Sequence, residues 1–270
     1  MNRKVFSLIE LLVVVAIIGI LASMMLPSLG EARERAKIAT CLNNMKQMGF
    51  SNAMYLDDSE GYYPIANAAT GFGWDDLLSS YDGRNLTDAQ IKSGVGVNGR
   101  WGARKTDLPG GADHAPMYRC PLDDRDNGNF ILKTYCPTQL SGINLNTGTG
   151  HNFTKGIYGY SNTNGIEAYS RNISALDNTS GIITHAENLA PFSNPGNNNI
   201  RLRLGSDWTW SGITATIFSL NEDKHSDLKY NFLMADGHVK KMTAIQSLVK
   251  NDGSLASTGN VSGSSWDSLR

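Results

Sequence analysis

The N-terminal part of the chain is a long, nearly uninterrupted apolar run. From Phe6 to Leu29 the side chains are apolar or small, and Glu10 is the only charged residue among them. A helix of these 24 residues at about 1.5 Å per residue is long enough to cross a hydrocarbon layer about 30 Å thick. The pattern predicts a transmembrane helix at 6–29.

Two basic residues, Arg3 and Lys4, stand before the run in a predicted leader at 1–5. Basic flanks stay on the cytoplasmic side, so the remainder of the chain is expected to be exported. A signal peptide would end in a small-x-small cleavage site, whereas this run continues into Pro27. A plain anchor has no use for Glu10, and a buried core helix would not be apolar on every face.

The next segment, 30–56, predicts an amphipathic continuation of the helix to about Tyr55. Mixed charges on helix-forming residues come first, and the acidic run at 57–61 is a stop signal. Apolar or small residues then recur at spacings of four, three and four, which places them on one helix face. This predicted stripe consists of Ile38, Leu42, Met45 and Gly49.

The remaining residues predict a sheet-containing head at 57–250 with long loops. Asp236-Gly237 separates two apolar segments and predicts a hairpin of adjacent antiparallel strands. Residues 251–270 are predicted to be a polar tail, mobile from about Gly253 to Gly263, although Trp266 indicates that its end docks. The fold class is therefore α+β, with one long helix packed on an antiparallel sheet.

Composition agrees with a folded head and argues against nucleic acid as a partner. Hydrophobic residues make up 40% of the 270, and glycine contributes 28, which favours turns and short strands. Lys and Arg total 24 against 25 Asp and Glu. With this balance the chain has no general attraction for phosphate backbones.

The three cysteines, Cys41, Cys120 and Cys136, permit one disulfide and leave one thiol over. A bridge between Cys120 and Cys136 would close a loop of about 16 residues and contribute roughly 3 kcal/mol. The alternative is that all three are simply packed in the core as small apolar residues.

No enzyme motif is present. The chain contains no Gly-x-Ser-x-Gly elbow, no His-Glu-x-x-His helix and no Gly-Lys-Ser phosphate loop, so no catalytic residue and no cofactor are predicted.

Three segments could suggest ligands, but each is better explained as structure. His225, Asp227, Asp236 and His238 are zinc-ligand types near a hairpin, where an aspartate before a glycine usually serves backbone geometry. The run 123–128 places Arg125 where a calcium loop needs oxygen. The aromatic pair in 207–210 is more often core than a sugar platform. No metal is predicted.

The N-terminal pattern resembles the prepilin segment of type IV pilins and of type II secretion pseudopilins. Phe6 and Glu10 have the family's spacing, and Gly19 and Pro27 lie at the matching offsets. Val5 departs from the pattern, because the family's peptidase normally expects glycine before the cleaved bond. By themselves, proline kinks or locally melts a helix and glycine weakens it by about 1 kcal/mol.

This resemblance implies a life cycle for the chain. The leader would be removed between Val5 and Phe6 by a prepilin peptidase, and the new amino group of Phe6 would be methylated. Glu10 would then pair with the amine of a neighbouring subunit during assembly. The expected partners are copies of the chain, related pilins and a bacterial inner membrane, with the head extracytoplasmic in a cell-surface or periplasmic filament.

A second resemblance is to a large pilin-like family with an exported domain of unassigned function. It covers Cys41 and its neighbours, Cys120-Pro121, the segment 158–162, and a C-terminal motif in which His225 precedes Asp236-Gly237. The interval of ten residues is one longer than in the family. In that family the helix cysteine can meet the Cys-Pro cysteine, so the resemblance implies a Cys41–Cys120 disulfide as an alternative to Cys120–Cys136, and the pairing stays open.

The sequence therefore predicts a structural filament subunit and not an enzyme. The alternative is a signal-anchored extracytoplasmic binding module that does not polymerise. Pilus and secretion pseudopilus are not distinguished, because both use the same N-terminal helix.

Overall fold

The structure is a computed structural model. It describes residues 7–67, 73–88, 116–124, 133–141, 155–161, 169–187, 202–203, 229–256 and 261–270. Val5, Phe6 and His225 lie outside these ranges, as do Asp227 and the segments 125–128 and 207–210. Their predicted roles stay predictions.

One helix, α1, runs from Leu8 to Asp58. It begins with a capping box, and it continues through Pro27 without interruption. The helix therefore does not melt locally at Pro27, and the kink predicted at Gly19 and Pro27 stays a prediction. One missing backbone donor does not interrupt so long a helix, because the hydrogen bonds of the turns on either side remain. Gly61, at φ +83°, lets the chain turn away after Asp58.

The head-facing side of α1 begins at Cys41. The predicted stripe is correct for Met45 and Gly49, but Ile38 and Leu42 are only half-buried. Buried residues instead include four that the apolar pattern did not select: Cys41, Met48, Ser51 and Asn52. The stripe is rotated towards these residues because Cys41 is in a disulfide and Asn52 accepts a hydrogen bond from Tyr158, at 2.6 Å.

The described residues include seven strands in one sheet. Their ranges are β1 Ile65–Asn67, β2 Tyr135–Ser141, β3 Tyr158–Ser161, β4 Ile183–Glu187, β5 Leu202–Arg203, β6 Lys229–Met234 and β7 Val239–Thr243. The order is β1-β3-β2-β4-β6-β7, and β5 pairs with β2. A short helix, α2, follows at Ala244–Ser247. The predicted α+β class is confirmed.

The sheet has an antiparallel half and a parallel half. β2, β4, β6 and β7 are antiparallel neighbours, whereas β1–β3, β2–β3 and β2–β5 are parallel pairs. The parallel pairs were not predicted, because parallel neighbours are joined by long connections that leave no turn motif.

The predicted hairpin is confirmed as β6 and β7. Its turn bonds the Gly237 amide to the Met234 carbonyl, at 3.0 Å, and the strands pair from Leu233 and Val239 onwards. Only Gly237 has a positive φ, at +87°, so the turn uses one left-handed residue and not two. Glycine suits this position because it adopts that conformation without a Cβ clash.

The two faces of the sheet bury separate apolar clusters. On one face Tyr158 and Leu233 of the sheet pack with Met45 of α1. On the other face Phe232 packs with residues of α2 and of the C-terminal segment. The head is thus a helix layer, a sheet and a C-terminal layer.

Residues 251–270 are part of this head wherever the structure describes them. Trp266 is fully buried and its indole nitrogen donates to Ser247 Oγ at 2.9 Å. Ala256 and Val261 are also in the core. These residues therefore pack into the head and are not a detached tail, and the mobility predicted from about Gly253 to Gly263 stays a prediction.

Candidate assembly interface

The first half of α1 is apolar and lies outside the head. Its large side chains are exposed all around the helix, from 48% at Val13 to 80% at Leu8. Among the described residues it is the helix long and apolar enough to cross a membrane, with a mean hydropathy of 2.7 over its best window. Such a surface is stable only when lipid or other apolar helices cover it.

Glu10 lies at the start of this exposed helix. Its carboxylate accepts a hydrogen bond from the Ser7 amide at 2.8 Å, and Ser7 Oγ accepts one from the Glu10 amide at 3.2 Å. A negative group is favourable here because it satisfies an unpaired donor and faces the positive end of the helix dipole. The carboxylate is exposed and available to a cation from another chain.

The two residues expected to weaken the helix both lie within its exposed half. Gly19 has no atom within 4 Å of a built Cβ, so this position leaves room for a neighbouring helix to approach closely. Pro27 has no backbone N–H, so the Ser23 carbonyl, one turn earlier, lacks the hydrogen bond that it would otherwise accept within the helix. Neither residue touches the head.

The disulfide joins the helix to the head. Cys41 and Cys120 are bonded, with Cα atoms 5.0 Å apart, and Cys136 is buried outside the bond. Of the pairings left open, the structure contains the one implied by the second resemblance. Glu187 lies within 4.8 Å of both sulfur atoms, but disulfide sulfurs are not thiolates and do not form a zinc site.

Of the C-terminal motif residues Asp236 and Gly237 in the hairpin turn, Gly237 contacts α1. A Cβ on Gly49 would lie 2.6 Å from the Gly237 carbonyl oxygen, so the helix and the turn meet at backbone distance. Asp236 Oδ1 lies 2.6 Å from His238 Nδ1, so these two zinc-ligand types pair with each other. A groove of about 490 Å³ runs beside this contact.

A buried ionic cluster lies on the helix side of the sheet, and sequence reasoning missed it. It comprises Asp75, Asp76, Asp82, Arg84 and Lys133, whose side chains are 6% exposed or less. Lys133 contacts Asp75 at 2.7 Å, and Arg84 contacts Asp82 at 2.7 Å. A fully buried lysine is rare. Lys133 and Asp75 are 58 residues apart in the sequence, so local patterns do not reveal that they form a pair.

The cluster shifts the acidities of its members. Burial, together with the charge of Asp75, raises the pKa of Asp76 to about 7. Burial alone would raise the pKa of Asp75 too, but Lys133 and Arg84 outweigh it and hold that pKa below its usual range.

His185 lies next to this cluster, with ring centres 4.7 Å from Trp74 and 4.8 Å from Tyr158. Within the described part of the chain, its Nε2 has no hydrogen-bond partner. Burial, helped by the charge of Lys133, lowers the pKa of His185 to about 3. His185 is therefore neutral in the folded protein at ordinary pH.

This neutrality predicts a pH effect. An unfolded chain takes up the His185 proton below about pH 6.5, whereas the folded chain resists it down to about pH 3, so stability falls by up to about 1.4 kcal/mol per pH unit in between. We expect His185→Phe to remove this loss. Between pH 7 and pH 5 the free energy of unfolding of the variant should therefore rise relative to that of the wild type by about 2 kcal/mol. Urea unfolding of the detergent-solubilised protein at both pH values measures this. Equal pH dependence of the two proteins would contradict the assignment.

The geometry defines a class of protein, an α+β head carried on a helix whose apolar half is bare. The family described as the prokaryotic N-terminal methylation motif matches residues 2–26. The matched segment contains Phe6, Glu10 and Gly19, which carry the prepilin resemblance, and also Val5, which departs from it.

Known pilus proteins are similar to this chain. A fimbrial protein of Eikenella corrodens is 34% identical over 98 residues, which is 36% of this chain and 59% of that protein. The type IV major pilin of Neisseria gonorrhoeae is 31% identical over 34% of this chain and 53% of its own length. The type IV wide pilus major component of Thermus thermophilus is 41% identical over 23% of this chain and 47% of its own.

The chain thus spans about half the length of the curated relatives it matches. These relatives are named as pilus components and not as enzymes. No solved structure matches the chain.

Proposed function

We propose that the protein is a structural subunit of a type IV pilus-like filament. The observation that carries the proposal is the apolar half of α1, which is exposed on every face and continues without a break into the half that packs in the head. In a membrane lipid covers this surface, and in a filament the helices of other copies cover it. The pilus relatives support a pilus in preference to a secretion pseudopilus.

Processing precedes assembly in this proposal. A prepilin peptidase removes residues 1–5, and the amino group of Phe6 is methylated. Arg3 and Lys4 keep the leader cytoplasmic, so that the head lies outside the inner membrane. The methylation motif matched at residues 2–26 supports this order.

Glu10 is the assembly residue. A carboxylate among packed apolar helices is costly unless a cation pairs with it. The amine of Phe6 on a neighbouring subunit supplies that cation, and the exposed Glu10 carboxylate is positioned to accept it. Growth of the filament then satisfies both charges at once.

We expect Glu10→Ala to abolish filaments, because each added subunit would bury an unpaired amine. Filaments sheared from cells and counted by electron microscopy, together with the intact mass of the membrane-extracted protein, measure assembly and processing. The wild-type mass should begin at Phe6 and include one methyl group. The head should remain folded, since Glu10 lies in the exposed half of α1 and its side chain accepts a hydrogen bond from Ser7.

Glu31→Ala is the matched control on the same helix. Glu31 is exposed and pairs with Arg35 at 3.7 Å, and an exposed pair of this kind contributes little. Filament number should be unchanged. A wild-type mass that begins at Met1, with no filaments, would instead indicate an anchored binding module that does not polymerise.

A further inference from the structure

The buried ionic cluster contains a lysine that assembly does not use. Lys133 is fully buried, its Nζ lies 2.7 Å from Asp75 Oδ1, and the same nitrogen lies 4.7 Å from the centre of the Trp74 ring. Amine and carboxyl are therefore held together in a dry site beside an aromatic wall. Such confinement replaces an encounter in solution by a fixed approach.

The cluster also retains one proton that its ion pairs do not need. Three carboxyl groups, Asp75, Asp76 and Asp82, face two basic groups, Arg84 and Lys133. Because the pKa of Asp76 is raised to about 7, Asp76 holds this proton in part of the molecules at neutral pH and in more of them as the pH falls. Asp76 Oδ2 accepts a hydrogen bond from the Gly73 amide at 2.8 Å, which fixes this side chain. Arg84 Nη1 lies 3.9 Å from Asp76 Oδ1 and 3.2 Å from Asp75 Oδ2, so the two carboxyl groups meet at one nitrogen.

We propose that Lys133 and Asp75 condense to form an intramolecular isopeptide bond, with Asp76 as the proton relay. This inference does not depend on the proposed filament function. It assigns a covalent modification to the head, linking the segment before β2 to the segment at 73–88.

The step balances without any co-reactant. The Lys133 ammonium first gives a proton to the Asp75 carboxylate, which produces a neutral amine and a neutral acid. The Nζ lone pair then attacks Cγ of Asp75, and the Nζ–Cγ bond forms. Asp76 takes the second proton from Nζ and gives its own to the departing hydroxyl. The C–O bond breaks, one water leaves, and the product is an amide.

Neighbouring groups fit this step. Arg84 Nη1 lies 3.2 Å from Asp75 Oδ2, where it stabilises the oxygen that becomes negative as the amine attacks. Trp74 and the buried surroundings exclude water, which disfavours hydrolysis of the amide. Arg84 and Lys133 also keep the pKa of Asp75 low, so the neutral pair is a minor population and the condensation is slow. A slow rate is sufficient, because the bond has to form only once in each molecule.

The experiment is mass spectrometry of the full-length protein purified from membranes. After allowance for the disulfide and for N-terminal processing, we expect the wild-type mass to be lower than the sequence mass by one water. Tryptic digestion should give a branched peptide that joins Asp75 to Lys133, with no cleavage after Lys133. Lys133→Arg keeps the positive charge but removes the nucleophile, and it should have the full mass.

Asp76→Asn tests the relay separately. It keeps both condensing groups, and we expect the branched peptide to be reduced at least tenfold in freshly purified protein. A branched peptide at the wild-type level in this variant would overturn the relay.

A wild-type mass without the deficit would overturn the proposal, and this readout requires no variant to fold. A water loss that persists in Lys133→Arg would also overturn it. Fragmentation would then place the loss at an aspartate that precedes a glycine, such as Asp82 or Asp236, where a cyclic imide forms.

Discussion

Replacing both Cys41 and Cys120 by alanine should lower the free energy of unfolding by about 4 kcal/mol. The disulfide joins positions 79 residues apart, and the chain-entropy treatment of a loop this long gives a loss of roughly 4 to 5 kcal/mol. Both cysteines are buried, so their truncation also removes packed atoms. Urea unfolding of the detergent-solubilised protein, followed by tryptophan fluorescence, measures the change.

Cys136→Ala is the matched control. Cys136 is equally buried, in the second apolar cluster, but it lies outside the disulfide. The same atom is removed without opening a covalent loop, so the expected loss is about 1 kcal/mol. If Cys136→Ala is as damaging as the double variant, or if peptide mapping links Cys120 to Cys136, the pairing described above is incorrect.

Trp266→Ala should cost about 3 to 5 kcal/mol, the range for truncation of a fully buried large aromatic residue. The indole packs edge-on against Phe232 with ring centres 5.7 Å apart, and its nitrogen is bonded to Ser247. The variant leaves a cavity between the sheet and α2 and removes the donor to that hydroxyl. Denaturant unfolding measures the loss, and Trp266→Phe should recover part of it because it restores most of the apolar volume.

Leu269→Ala separates docking of the segment from docking of the tryptophan. Leu269 is three residues from Trp266 but is 56% exposed, so its truncation should change stability by less than about 0.5 kcal/mol. A polar tail detached from the head would make both substitutions equally harmless. That result would restore the interpretation of residues 251–270 as a tail.

The main elements of the fold could be predicted because their patterns are local. The apolar run and the helix-forming residues after it define α1 to within a few residues of its end at Asp58. Asp236-Gly237 between two apolar segments defines the hairpin of β6 and β7. Each of these patterns is formed by residues that are close together in the sequence, so it can be recognised without knowledge of the fold.

Features formed by distant residues could not be predicted from residue patterns, and the Cys41–Cys120 pairing was implied only by the second resemblance. The buried face of α1 includes Cys41 and Asn52, which an apolar pattern does not select. Their burial follows from the disulfide of Cys41 and from the hydrogen bond that Asn52 accepts from Tyr158. Lys133 is charged, and a charged residue is normally predicted to lie on the surface. Its partner Asp75 is brought to it only by the fold. For the candidate assembly site, Glu10 was evident as a lone charge in an apolar run, while its cap with Ser7 required the helix start.

The position of the disulfide has a mechanical consequence. Cys41 is the first buried residue of α1, so the bond is at the point where the bare half of the helix meets the head. A pull on the apolar half would otherwise peel the helix from the sheet one turn at a time, starting there. The covalent link passes that load directly to the segment at Cys120. Tension along the helix is therefore borne by the head as a whole before any buried turn of α1 detaches.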